Sequence, residues 1–251
     1  MNKAPFYRQF YEQAGSWSEN VDSEERIPAT LAMIPNNMNS ILDVGCGDGT
    51  FLGSVDSIPF KVGLDISFTA LSYVKMLQKI QASSDAIPLK KNTFDCIVST
   101  EVLEHLPPDV YEATLHEIQR VAKRYILISV PFLEDLAQKQ TRCSQCGFIF
   151  HMFLHLRFFD ISKLEKIFPS YFLKEYQFSG PKERTFPKWL LKIRRKYGGR
   201  WEWDKDAMCP KCGYKSEQPP KRSVISVFTT LLAGLAKKRH PKWVSVLYEK
   251  K

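Results

Sequence analysis

The chain has 251 residues, enough for one large α/β domain with an insertion and short of two full-sized domains. A composition of 44% hydrophobic and 25% charged residues excludes a largely disordered or collagen-like polypeptide, and six cysteines are too few for a scaffold built on disulfides. The net charge of +9 is uneven: residues 182–200 and 221–251 each hold eight Lys or Arg against a single Glu, so these stretches carry +14 and the rest of the chain −5.

The opening residues 1–8 carry no apolar run, so no secretory signal is expected. The longest near-apolar stretch, residues 224–236, has 13 residues, against the roughly 20 a spanning helix needs. A cytoplasmic location is expected, with peripheral contact at the inner membrane surface as an option. Residues 1–22 read as a polar, aromatic-rich lead-in, and a helix is expected from Ser23, where Ser23-Glu24-Glu25-Arg26 supplies an acidic first turn. Ile41-Leu42-Asp43-Val44 is a short apolar run ending in glycines, the pattern of a buried strand entering a tight turn. Residues 60–64 repeat that pattern. Residues 67–80 have helical periodicity through Leu71, Val74, Met76 and Leu77. Residues 94–99 predict a strand, 109–122 a helix with Val110, Leu115, Ile118 and Val121 on one side, and 125–130 a further buried strand stopped by Pro131. Such alternation implies a mostly parallel sheet covered by helices on both faces, with ligands bound beyond the carboxyl ends of the strands. Beyond Pro131, residues 162–168 predict a helix, 171–178 a strand, 222–239 an apolar helix with cationic ends and 243–248 a last strand. Residues 181–221 show little periodicity.

Asp43-Val44-Gly45-Cys46-Gly47-Asp48-Gly49-Thr50 follows a strand and opens a helix, so a ligand can lie against its main chain. The spacing is Gly-x-Gly-x-Gly, which is neither the dinucleotide fingerprint nor a phosphate loop. A second acid, Asp65, ends the next strand, and a third, Asp85, stands in Ser84-Asp85-Ala86. In this order and spacing, with Ile87-Pro88-Leu89 and Phe94-Asp95-Cys96-Ile97-Val98 following, the stretch from Ile41 to Val130 resembles the class I S-adenosylmethionine (SAM)-dependent methyltransferases, in the broad subfamily with Glu-His after the fourth strand. The resemblance implies a Rossmann-like seven-stranded sheet, SAM as cofactor, and a set of contacts. Gly45, Cys46 and Gly47 would pass under the methionyl and ribose portions, with Asp43 near the methionine amino group. Asp65 would hold the ribose hydroxyls and Ile66 would lie against adenine. Asp85 and Ala86 would read the adenine edge, and Thr100 would lie near the sulfonium. Tyr11 and Arg26 are candidates to close over the methionine carboxylate.

Glu101, Glu104 and His105 follow the fourth strand at i, i+3 and i+4, so a helical turn there would put them on one face. Two carboxylates and an imidazole suit a divalent ion that acidifies an acceptor hydroxyl. They equally suit a general base, His105, oriented by Glu104, or a structural cap on the turn. Glu-x-x-Glu-His resembles the metal site of ubiquinone-pathway O-methyltransferases and of enzymes that 2′-O-methylate small-RNA ends. The latter use a further downstream histidine, for which His155 or His151 is the candidate; both are also read as lining the acceptor pocket. No Asn-Pro-Pro-Tyr, Asp-Pro-Pro-Tyr or Pro-Cys motif of nucleobase methyltransferases is present, and Cys46 and Cys96 lie where thiols are unreactive.

Cys143-Ser144-Gln145-Cys146-Gly147 and Cys209-Pro210-Lys211-Cys212-Gly213 are matching knuckles. Two-residue gaps let both sulfurs of a pair bind one ion, which predicts a closed, structural zinc site with four cysteine ligands. The sequence then divides into a lead-in cap (1–39), a SAM-binding core (40–135), a zinc-stapled basic insertion with one sheet strand inside it (136–221), and a terminal helix and strand (222–251). Lys188 to Lys196 with Arg200-Trp201-Glu202-Trp203 mixes cations and aromatics. That mixture suits a phosphate-bearing acceptor, a membrane surface or RNA, or simply a solvated basic face. The expected activity is O-methylation of a small-molecule or glycan- or nucleotide-linked acceptor. RNA 2′-O-methylation is the alternative within enzymes, and a non-catalytic SAM-binding scaffold the alternative outside them.

Overall fold

The computed structural model describes residue 12 and residues 23–75, 78–219, 223–234 and 239–251. Helix α1 (Ser23–Leu31) leads into β1 (Ser40–Val44), α2 (Thr50–Gly53), β2 (Phe60–Asp65), α3 (Phe68–Tyr73), β3 (Lys79–Gln81), β4 (Phe94–Thr100), α4 (Pro108–Val121) and β5 (Ala122–Pro131). A hairpin of β6 (Gln140–Arg142) and β7 (Ile149–His151) follows, then α5 (Ile161–Leu164), β8 (Tyr171–Arg184), α6 (Lys188–Lys196), α7 (Val224–Gly234) and β9 (Arg239–Lys250).

Seven strands form one sheet in the order β3-β2-β1-β4-β5-β9-β8, with β1 to β5 parallel and β9 antiparallel to both its neighbours. This is the Rossmann-like, mostly parallel architecture expected. Its inner strands alternate between two cores because side chains on a strand point to opposite faces in turn. Leu42, Val44, Ile97, Ile126 and Ile128 enter one core, against Leu115, Ile118 and Val121 of α4. Ile41, Cys96, Val98 and Leu127 enter the other, with Ile27, Phe51, Leu52 and Leu71 from α1, α2 and α3. Each such side chain contributes about 1.5–3 kcal/mol through burial.

The chain leaves β1 toward β2 on one side and later crosses to β4 on the other. A crevice therefore opens beyond the carboxyl ends of β1 and β4. Helix α1 packs against β8 and β9 beside that crevice. Its position is set by a buried hydroxyl chain, Thr30 Oγ1 to Ser245 Oγ at 2.8 Å and Ser245 Oγ donating to Ser129 Oγ at 3.1 Å.

Several elements differ from expectation. The helix over 67–80 ends at Tyr73, Val74 is extended, and Lys79–Gln81 joins the sheet edge by pairing with Gly63–Asp65. Apolar periodicity does not separate a helix end from a three-residue edge strand, whose formation depends on a partner elsewhere. Met76 and Leu77 lie outside the described residues. The helix over 162–168 is a single turn, Ile161–Leu164, capped by the Asp160 side chain on the Lys163 N–H. The strand from 171 continues to Arg184 along β9, and the last strand begins at Arg239, where the sequence predicts the end of a helix. A helix, α6, occupies the basic stretch. Of the apolar helix expected over 222–239, Val224–Gly234 is described and helical, while Lys221, Arg222, Lys237 and Lys238 lie outside the described residues. No described helix is long and apolar enough to cross a membrane.

Candidate active site

Gly45, Gly47 and Gly49 all have left-handed backbones, with φ of 82°, 54° and 81°. Only glycine takes that conformation without penalty. The turn is buckled to β2: the N–H groups of Gly45 and Cys46 both donate to the Leu64 carbonyl, at 2.7 and 3.0 Å. Asp65 closes the buckle, accepting from Gly47 N at 2.9 Å and Ser67 N at 2.8 Å. A Cβ on Gly45 would lie 2.2 Å from Val102 Cγ2. Gly45→Ala is therefore expected to cost about 2 kcal/mol or more through its left-handed backbone and the displacement of Val102. A urea midpoint equal to wild type would contradict this.

The crevice has two lobes that share Gly45, Glu101 and His105. The first, about 830 Å³ with its mouth, is walled by Asp65, Ile66, Ala82, Ser83, Ser84 and Val110. The second, about 1450 Å³ with its mouth, runs from Asp43, Cys46, Gly47 and Thr100 toward Pro131, Phe153 and His155. Arg26 of α1 reaches the second lobe. Asp85 and Ala86 are not among the residues walling either lobe. The turn closed by Ala86 N donating to Ser83 O brings Ser83 and Ser84 to the wall instead. That turn is held by α4, since Glu117 accepts from Ile87 N and the Arg120 guanidinium donates to the carbonyls of Ile87 and Leu89. Tyr11 lies outside the described residues. Its neighbour Glu12 accepts from Phe68 N and Thr69 N at the start of α3, at 2.8 and 3.0 Å.

Glu101 has a φ of 57°, and the stretch from Glu101 to Leu106 is a turn, not a helix. The three residues therefore do not share one helical face. Glu101 accepts from Trp243 Nε1 at 3.0 Å, whereas Glu104 and His105 point toward His155. One ligand atom from each of Glu104, His105 and His155 lies within 4.8 Å of the others, and Glu101 does not join that group. His155 also belongs to a second group, with Glu134 and His151. Glu134 meets His155 Nδ1 at 2.5 Å and His151 Nε2 at 3.5 Å. The His155 N–H donates to His151 Nδ1, which leaves Nε2 of that ring to carry hydrogen toward Glu134.

Burial dominates the electrostatics. Glu104 is fully buried, and burial first, then the Glu101 carboxylate, raises its carboxyl well above the usual range. Burial likewise raises Glu101 and Asp65. It pushes Asp43 up to about 7, with Asp65 adding to the effect and Arg26 opposing it. Burial, then His155 and His151, holds His105 well below its ordinary value, so the imidazole is neutral. Glu134 goes the other way: burial opposes its charge, but hydrogen bonds from His151 and His155 outweigh that and keep it ionised. Among the described residues Asp43 Oδ1, Glu101 Oε1, both Glu104 oxygens and Arg26 Nη1 are buried without a hydrogen-bond partner. Glu134, Lys139, Glu183, Lys242 and Trp243 also face the second lobe and were not singled out from the sequence. Nothing in their spacing marks them, because they come from three separate segments.

The four knuckle cysteines come together on the insertion. Cys143 and Cys212 have their sulfurs 3.6 Å apart, as do Cys146 and Cys209. That is far beyond a disulfide bond but close to the ~3.8 Å edge of a tetrahedron with metal–sulfur bonds of about 2.3 Å. The two knuckles have one geometry. In each the glycine has a φ near 71°, donates to the first cysteine's carbonyl, and the first cysteine's N–H donates two residues past the second cysteine, to Phe148 or Tyr214.

The strand order, the single antiparallel member and the glycine turn at the crevice define a class I SAM-dependent methyltransferase. Residues 17–171 match the family model described as a methyltransferase domain, and the chain belongs to that family. An uncharacterized protein of Methanocaldococcus jannaschii is 34% identical over 137 residues, which span 53% of this chain and only 59% of that relative's length. A SAM-dependent methyltransferase of Archaeoglobus fulgidus superposes with a TM-score of 0.53 at 16% identity over 90% of each chain. The magnesium protoporphyrin IX methyltransferase of Synechocystis, solved with bound SAM, gives 0.51 at 12% identity over 72% of this chain and 92% of that one. At such identities the likeness is one of fold.

Proposed function

We propose that the protein methylates a hydroxyl of a small or phosphate-bearing acceptor, of the glycan- or nucleotide-linked kind, with His105 as general base. The observation that carries this reading is the place of His105, a neutral, half-buried imidazole at the junction of the two lobes. SAM, when bound, supplies an electrophilic methyl group on a sulfonium. The unpartnered buried atoms of Asp43 and Arg26 match its ammonium and carboxylate, Asp65 suits its ribose hydroxyls, and Ser83-Ser84 with Ile66 suit adenine. His105 accepts the acceptor's proton, with Glu104 Oε1 beside it at 3.9 Å from His105 Nε2. His155, fixed by Glu134, borders the acceptor.

A second reading rests on Glu104, whose two oxygens are buried without a hydrogen-bond partner beside His105 and His155. A buried carboxylate so placed calls for a cation. Glu104, His105 and His155 would hold a divalent ion, which when bound would acidify an acceptor hydroxyl. Glu134 would then orient His155 through Nδ1, as carboxylates behind metal-bound histidines do. The likeness to enzymes that 2′-O-methylate RNA rests on Glu101 as well, and Glu101 does not join this group. We also read the four-cysteine cluster as a structural zinc clasp.

Tritiated SAM supplied with a cell extract tests these readings. Label in a nuclease-resistant small-molecule or glycan fraction supports the first, and label released by ribonuclease supports the RNA alternative. SAM binding with no label transferred would leave a scaffold. The cofactor site has its own test. A bound ammonium favours ionised Asp43, so below about 7 binding must first release a proton. Affinity for SAM is then expected to fall by up to about tenfold per unit as the pH drops below that value, and to level off above it. Calorimetry in buffers of different ionisation enthalpy reads the proton, and a flat profile would remove Asp43 from the site.

A further inference from the structure

Helix α7 is amphipathic the wrong way round for a surface helix in water. Two of its three polar residues, Ser226 and Thr229, face the protein, 0% and 2% exposed, whereas Val224, Phe228 and Leu231 face out, 86%, 60% and 68% exposed, beside the exposed Thr230. A surface helix in water buries its apolar stripe. The two inward hydroxyls are satisfied on the helix's own backbone, Ser226 Oγ on Ser223 O and Thr229 Oγ1 on Ile225 O. No charged residue occurs from Val224 to Gly234.

Helix α6 lies against α7, and together they frame a groove lined by Trp189, Ile193, Val224, Ile225 and Phe228. On the outer side of α6, Trp189, Ile193 and Tyr197 are exposed at four-residue intervals and form an aromatic-aliphatic stripe. Lys188, Lys192 and Lys196, also exposed at four-residue intervals, form a cationic stripe beside it. Leu190, Leu191 and Arg194 anchor the opposite face. No acidic residue occurs in 184–201 or 218–248, so nothing in either stretch offsets these cations.

We infer that this face binds the surface of a lipid bilayer bearing anionic headgroups. Apolar side chains enter the boundary between headgroups and acyl chains, and the lysines sit over the phosphates. Three arguments single out this occupant. A contiguous exposed apolar patch rimmed by polar residues marks an interaction surface. A second copy of the chain would lay one cationic stripe against another. A nucleic acid would satisfy the lysines and leave Val224, Phe228 and Leu231 in water. An anionic bilayer answers both features at once, and Trp and Tyr favour that interface. The inference is independent of the chemistry at His105.

The test is sedimentation of the full chain with vesicles, either phosphatidylcholine alone or phosphatidylcholine mixed equally with phosphatidylserine, over a salt series. Binding to the anionic vesicles is expected, weakening with salt and at least about tenfold tighter than to phosphatidylcholine alone. Replacing Lys188, Lys192 and Lys196 together by Gln is expected to weaken it about a hundredfold, at roughly 1 kcal/mol per lysine. Phe228→Ser with Leu231→Ser is expected to weaken it at least about tenfold. Both variants alter exposed side chains only, and unchanged urea midpoints would establish that they fold. Equal binding to the two vesicle types, no binding to either, or wild-type binding by the Phe228/Leu231 variant would each overturn the inference. So would a dimer in light scattering that the Phe228/Leu231 variant abolishes while vesicles are ignored. Lysine-dependent capture of a single-stranded RNA oligonucleotide without vesicle binding would overturn it in favour of nucleic acid.

Discussion

His105→Ala is expected to lower methyl transfer by about 10²–10⁴-fold, the range that a positioned general base contributes, while SAM affinity stays within a few-fold of wild type. The separation follows from position. His105 touches both lobes but holds neither the glycine turn nor Asp65, which are tied to each other through Gly47 N and to β2 through Leu64 O. Asp65→Ala should instead weaken SAM binding itself, since it removes the carboxylate that buckles the turn. Titration calorimetry and a transfer assay on the same two variants read the difference. Transfer that survived in the His105→Ala protein would end the assignment of a base or ligand there. Glu104→Gln separates the two readings of the cluster: if the cluster holds a divalent ion, Mn²⁺ binding followed by electron paramagnetic resonance disappears with the substitution.

Cys209→Ser is expected to take zinc from near one atom per chain to near zero. Structural zinc of this kind contributes about 10 kcal/mol or more to the folding of its site, and three remaining ligands cannot close a tetrahedron. The loss should not unfold the sheet, whose two cores contain none of the four knuckle cysteines. It should loosen the small cluster in which Cys143 and Cys209 pack with Phe150, Leu154 and Ala207. Phe150 and His151 belong to β7, and Phe153 and His155 just beyond it wall the second lobe. The expected result is faster proteolysis within 136–221 and a raised KM for the acceptor, with SAM affinity near wild type. Elemental analysis and limited trypsinolysis measure the two parts. A metal-free wild-type protein with a rigid insertion would refute the clasp.

The legible parts of this protein are those in which a few adjacent residues settle their own conformation. Ile41-Leu42-Asp43-Val44 followed by three spaced glycines reads as strand and turn because left-handed backbone at Gly45, Gly47 and Gly49 is a local requirement. The same holds for the two knuckles, whose glycines and turn hydrogen bonds are repeated within five or six residues. The short apolar runs of β1, β4 and β5 likewise mark strands covered on both faces, as the two cores show.

What the sequence by itself determined was therefore the buried central strands, the glycine turn at their ends, and the local shape of each cysteine knuckle. Tertiary structure alone decided which side chains meet across the crevice. Glu134 reaches His151 and His155, Glu101 leaves its expected face for Trp243, and Ser83-Ser84 occupy the wall in place of Asp85 because α4 holds the segment that follows. It also decided that α7 turns Ser226 and Thr229 inward, although its residues would fit a core helix equally well. These outcomes rest on contacts between segments tens of residues apart. A one-dimensional pattern records the period of a helix or strand, but not which neighbour its faces will find.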